Sequence, residues 1–269
     1  MLNLFKNHKL KQLGGLNNKN YLIDYYNNFY VLRLPNKDNS NDFLSEHSIL
    51  SLVNSKKLSP HIIYHNKENG ILLTKYLDNS AVNINTLTTR KFLKSLSISL
   101  KKLHNLEVSS YFDPFKDIED NFKFLKKNNF KFNHDIDTFI EKMNFLKVNL
   151  TKNISLGLCH NDLNISNVLF KNSEVKFIDF EFSGMNDIFF DLATISWFLS
   201  EHLRNYLIFE YFGYTDKEKM KKLNDYLFIV KLWNASWSLK KSLTSNSDYD
   251  YVLGANMILD DIKNYKISK

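Results

Sequence analysis

Between residues 158 and 191 the sequence LCHNDLNISNVLFKNSEVKFIDFEFSGMNDIFFD sets polar and acidic side chains, nine of which could do chemistry, among short apolar runs. These nine are His160, Asn161, Asp162, Asn164, Asn167, Asp179, Glu181, Asp187 and Asp191. Residues 168–170 and 175–179 predict two short strands joined by a tight turn over 171–174. In this pattern Asp162 can accept the proton of a hydroxyl. Asn167, five positions on, offers a hard amide oxygen, and Asp179, seventeen positions after Asp162, offers a carboxylate at a strand end. A proton acceptor beside two oxygen ligands for a hard cation is what phosphoryl transfer asks of a protein. Acidic turns with no catalytic role are the plainer alternative.

The chain that must position these groups has 269 residues, 43% hydrophobic and 24% charged, a composition ordinary for a folded protein and far from that of a disordered one. The net charge of +7 raises the question of nucleic acid. The lysines, however, are scattered through helix-like patterns such as 123–131 and 217–222, which reads as solvated helix faces. No apolar run reaches the roughly 20 residues of a membrane span. The start MLNLFKNHKLKQL lacks the apolar core of a secretory signal. Cys159, the single cysteine, excludes an internal disulfide and leads us to expect a reducing compartment, the cytoplasm.

Residues 8–34 predict three strands: one before a turn at Gly14-Gly15, then NYLIDYY and FYVLRL around a hairpin turn at Asn27-Asn28. The glycine pair is either an ordinary turn or a close approach of backbone to phosphate. Candidate caps at residues 39–42 precede a helix, FLSEHSILSLVN, with Phe43, His47 and Leu50 on one face and Glu46 beside them. Arg33 ends the third strand. Paired with Glu46 it is either a surface ion pair or the strand-cation and helix-carboxylate pair that orients nucleotide phosphates. A second hairpin covers residues 61–77, and Asp78-Asn79-Ser80 breaks the pattern. Helices follow: one from about Thr88 with Phe92, Leu96, Leu100 and Leu103 as its apolar stripe, weaker ones near 114–127 and 134–149, then 187–203, 217–243 and a closing helix. His104 and His134 read as surface or helix-end histidines, and Trp197 as core. Trp233 and Trp237, four apart, share a helix face, for which core packing is the ordinary reading.

Taken together, GGLNNKNY, YVLRLP, EHSIL, HNDLNISNVLF, FIDFEFSGMND and the tryptophan-bearing helix resemble the choline/ethanolamine kinase family, most closely its bacterial choline kinases. That family lies within the aminoglycoside-phosphotransferase and protein-kinase-like superfamily. The resemblance implies an α+β, two-lobed kinase-like fold, with a nucleotide-binding lobe over residues 1–77 and a helical catalytic lobe over 78–269. It implies ATP and Mg2+, Asp162 as catalytic base, Asn167 and Asp179 as metal ligands, and His160 and Asp191 as supports of the catalytic loop. Asn17, Asn18, Arg33 and Glu46 would attend the phosphates, and Lys75, Tyr76 and Leu77 the adenine. Choline, a quaternary ammonium without N–H donors, calls for aromatic faces and nearby carboxylates. Trp233, Trp237, Glu181 and Asp187 are the residues the resemblance assigns to it. Ethanolamine, an aminoglycoside or thiamine are the rival acceptors, and a non-catalytic nucleotide-binding relative is the reading from another class. No nucleic-acid partner is expected.

Overall fold

The computed structural model describes residues 10–14, 18–36, 42–78, 80–245 and 247–267. Its first half is built on turns. Strands β1 (Leu10–Leu13), β2 (Asn18–Tyr25) and β3 (Asn28–Pro35) form an antiparallel meander. The β2–β3 turn falls on Tyr26 and Asn27, both at positive φ (49° and 59°), one residue earlier than the Asn-Asn pair suggests. Two consecutive left-handed residues make the tight turn whose twist matches the flanking strands, and Asp24 Oδ1 accepts the Asn27 amide at 3.2 Å to hold it.

Helix α1 (Phe43–Ser55) is inserted between β3 and β4 (Ile62–His65), and β5 (Leu72–Lys75) completes a sheet of order β1-β2-β3-β5-β4. Asp42 caps α1, accepting the amides of Leu44 and Ser45 at 3.1 and 3.0 Å. The face α1 buries is Glu46, Ile49, Leu50 and Val53, with Phe43 and His47 only partly covered. Gly70 in the β4–β5 turn has φ +68°, and a Cβ there would stand 2.4 Å from the Phe43 ring, so α1 and this turn approach as only glycine allows.

Beyond β5 the chain is mostly helical. It runs through α2 (Ile84–Leu87), α3 (Arg90–His104), α4 (Pro114–Lys127) and α5 (Ile136–Leu150). The expected α3 stripe of Phe92, Leu96, Leu100 and Leu103 is fully buried. Two small two-stranded sheets follow: β6 (Leu156–Cys159) with β9 (Gly184–Asp187), and β7 (Val168–Lys171) with β8 (Glu174–Phe177). The expected single helix over 187–203 is two, α6 (Phe189–Ser196) and α7 (Glu201–Phe212). The apolar run through Trp197, Phe198 and Leu199 carries helical spacing, yet Leu199 N closes a tighter turn on Ser196 O and Ser200 takes extended backbone angles. Helix α8 (Lys217–Thr244) is buried over most of its circumference and packs against α4, α6 and α9 (Tyr251–Ile262). Among the described residues no helix is long and apolar enough to cross a membrane.

The strand β6 that leads into the polar stretch lies against the end of α3. A Cβ at Gly157 would meet His104 O at 2.5 Å and Ile188 Cγ2 at 2.9 Å. Gly157→Ala must therefore push β6 off α3, and urea unfolding should show a loss of about 1–3 kcal/mol. An unchanged midpoint would mean that this contact is loose.

Candidate active site

The loop after β6 is held from behind by a carboxylate. Asp191, in the first turn of α6 and fully buried, accepts the backbone amide of His160 on Oδ2 (2.7 Å) and that of Asn161 on Oδ1 (2.8 Å). His104 Nε2–H donates to the same Asp191 Oδ2 at 3.2 Å, and Tyr211 O–H donates to His104 Nδ1 at 2.7 Å. His104 thus ends α3 as expected, but it is buried and bonded on both nitrogens; a lone histidine in a lysine-rich helix end gave no sign of it. Asn161 has φ +63°, which its own bonds make tenable: Nδ2 donates to Phe182 O (2.9 Å) and Oδ1 accepts from Asn186 (2.9 Å). His160 Nε2–H donates to Ile178 O at 2.8 Å, and its ring packs on Phe180. Burial keeps this imidazole below its usual pKa, hence neutral. The loop and the end of β8 are therefore one unit.

Asp162 faces the cleft from that unit. Its Oδ1 accepts from Asn164 Nδ2 and its Oδ2 from Asn167 Nδ2, each at 3.0 Å. With its N–H groups on Asp162, Asn167 has its carbonyl oxygen left for a cation. Asp179 follows β8 at φ +65°, with Oδ1 at 3.4 Å from Arg33 Nη1 and 3.5 Å from Asn18 Nδ2. Asn18 also reaches Glu181 Oε2 at 3.4 Å. Arg33 is gripped by Glu46 through two bonds of 2.6 and 2.7 Å, so strand cation and helix carboxylate form a buried fork rather than a surface pair. Asn17 lies outside the described residues.

These acids are crowded. Burial, aided by Glu181 and Asp191, pushes Asp162 up to about 7. Burial and then Glu181 likewise raise Asp179, against the opposing pull of Arg33, although 31% of its side chain still meets solvent in the cleft. Carboxylates whose proton affinity is raised by burial and by one another, beside the Asn167 amide oxygen, fit a hard divalent cation. The residues that would hold it are Asp179 and Asn167.

The cleft measures about 910 Å³ and is walled by both halves of the chain. Arg33, the Lys75–Leu77 segment, Asp162, Asp179 and Glu181 all line it. Trp233 and Trp237 also line it, as do Asn164, one of the polar residues picked out in the sequence, and Asn234, which was not. Only its place between the two tryptophans could have pointed to Asn234. Trp233 is 3% exposed, its ring set among Phe112, Phe182 and Phe190. Trp237 is half-buried, with Tyr251 at its edge and Lys241 over its face. Trp197, read as core, is partly buried against it.

Asp187 is a correction. It does not reach the cleft: it pairs with Lys222 at 2.7 Å, accepts the amides of Ser155 and Phe189, and bonds Tyr226. Position in β9, whose four residues are all buried, turns it inward, so it ties β9 to α8 instead of meeting a substrate.

Residues 11–229 match the family model described as choline/ethanolamine kinase. The chain belongs to this family. The match runs from β1 into α8 and ends one turn before Trp233, so it includes the loop that carries Asp162 and not the tryptophan pair. Protein LicA of Haemophilus influenzae is 31% identical over 220 residues, 76% of this chain and 63% of that protein's length. The fold is shared with a choline/ethanolamine kinase family protein of Mesorhizobium loti (TM-score 0.82, 22% identity, 96% of this chain and 88% of that one). It is shared equally with choline kinase LicA of Streptococcus pneumoniae (TM-score 0.81, 19% identity, 96% and 94%). The kinase-like α+β fold expected from the sequence is thereby established.

The crowding has a measurable sign. A carboxyl whose folded pKa lies above its unfolded value of 3.8 stabilises the fold below that value, and this contribution is lost as pH rises through about 7. The ligand-free protein should therefore melt several degrees lower at about pH 8 than at about pH 5.5, and Asp179→Asn should shrink the difference. An identical pH dependence in that variant would show that Asp179 is not strained by its neighbours.

Proposed function

We propose that this chain transfers the terminal phosphoryl group of ATP to the hydroxyl of choline, giving phosphocholine and ADP, with Mg2+ bound by Asp179 and Asn167. The observation that carries the reading is the convergence of Asp162, Asn167 and Asp179 on one cleft that Trp233 and Trp237 also line. Membership of the choline/ethanolamine kinase family and the likeness to a choline kinase support it.

Each residue has a part in this reaction. Asp162 orients the acceptor hydroxyl and takes its proton; an elevated pKa makes it a competent acceptor near neutrality. The bound metal would neutralise phosphate charge and hold the phosphates in line. Arg33, kept rigid by Glu46, turns to phosphate oxygens the Nη1–H that here reaches Asp179 Oδ1 at 3.4 Å. Asn18, the first residue of β2, attends the phosphates, and Lys75, Tyr76 and Leu77 the adenine. Trp233 and Trp237 receive the trimethylammonium group by their ring faces, with Glu181 supplying negative charge. Asp191 and His160 act only through the loop they hold. Residues 1–77 then form the nucleotide lobe and 78–269 the catalytic lobe. The buried, unpaired Cys159 suits a cytoplasmic enzyme.

Purified protein with choline, ATP and Mg2+ should release ADP and phosphocholine, and chelation of the metal should stop it. Asp162→Asn should lower kcat by about 10²–10⁴ while nucleotide binding persists. Near-normal turnover in that variant would remove Asp162 as the base; no turnover in the wild type would remove the activity.

A further inference from the structure

The seam between α4 and α8 is polar where it passes behind Trp233. Asp117 and Asn121, one turn apart on α4, both face it. Trp233 Nε1–H donates to Asp117 Oδ2 at 3.2 Å. Asn121 Nδ2 donates to Ser236 Oγ at 3.2 Å, and Ser236 O–H donates to Trp233 O at 2.9 Å. Lys240 Nζ donates to Asn121 Oδ1 at 3.0 Å. One face of α4 thus fastens both the ring and the main chain of the same tryptophan. Phe112, Phe182 and Phe190 complete the fixation, all near-perpendicular to the indole (72–86°) at 5.4–6.2 Å between ring centres.

A buried indole N–H needs an acceptor, and a neutral one would suffice. Here the acceptor is a half-buried carboxylate with Asp113 and Asp120 nearby on the same helix and Lys240 opposite. Burial pushes the Asp117 carboxyl up, while the indole bond and Lys240 pull it down. A negative charge at the indole N–H enriches the ring face that a cation would meet, and it adds its own attraction to that cation.

We propose that Asp117 is a positioning residue of the acceptor site: it sets the plane of Trp233 and makes that ring a better seat for a quaternary ammonium. This rests on the reading of Trp233 as a wall of the choline site. Asp117 does not line the cleft and acts through the indole.

Choline and 3,3-dimethyl-1-butanol, its uncharged isostere with carbon in place of nitrogen, separate charge from shape. Asp117→Asn keeps a hydrogen-bond acceptor and loses the charge. It should raise the KM for choline about threefold to tenfold, leave kcat within about twofold, and leave the KM for the isostere unchanged. Asp117→Glu, which keeps the charge, should keep the wild-type preference for choline over the isostere. Equal shifts for both alcohols, or no shift for choline, would overturn the proposal. Trp233→Leu distinguishes the two levels of argument. If it weakens choline and Asp117→Asn does not, only the role of Asp117 fails. If Trp233→Leu leaves choline unaffected, the tryptophan is no part of the site and the proposal falls with it.

Discussion

Three carboxylates, those of Asp162, Asp179 and Glu181, face one cleft, and the one guanidinium near them, that of Arg33, is already forked onto Glu46. Burial raises the proton affinity of Asp162 and Asp179, and like charges so placed add to it. The surrounding structure exists in large part to keep them there. β7 and β8 fix the distance between Asp162 and Asp179, and Asn164 and Asn167 hold the Asp162 carboxylate. Asp191 anchors the loop backbone from below. A site that is under electrostatic tension when empty is one that a cation and an anionic nucleotide relax together.

The sheet half of the chain answers the same constraint from the other side. A buried ion pair such as Arg33–Glu46 is weak evidence for stability, because desolvation offsets most of the attraction. Its geometry has a different consequence: it aims a guanidinium that would otherwise be mobile. For that, α1 must sit at a fixed height on the sheet. The Asp42 cap and the glycine-only contact of Gly70 with Phe43 fix it.

What could be read from sequence followed from how local the signal is. Asp162, Asn167 and Asp179 are close in sequence and joined by a hairpin, so spacing alone located them. The α3 stripe repeats at helical period and was legible for that reason. The β6–β9 pair was not: LGLC and GMND are four residues each, far apart, and neither alternates. That missing sheet is also why Asp187 was assigned to the substrate, since its inward direction is set by β9. The break between α6 and α7 was hidden by an unbroken apolar run. His104 found its partners, Asp191 and Tyr211, 87 and 107 residues away, a distance over which a single sequence carries no pairing information. Trp233 and Trp237 had the right spacing for a shared face; the partners of that face, such as Asp117, which accepts the Trp233 N–H, lie on other elements.

The claim on which all of this turns is that burial and mutual repulsion raise the proton affinity of the cleft carboxylates and that a bound cation lowers it. Calorimetric titration of a non-hydrolysable ATP analogue into the protein at about pH 7, in buffers of differing ionisation enthalpy, measures it directly. Binding should require Mg2+ and should release about one proton as Asp162 and Asp179 are relieved together. Equally tight binding without the metal, and no proton released with it, would contradict the account.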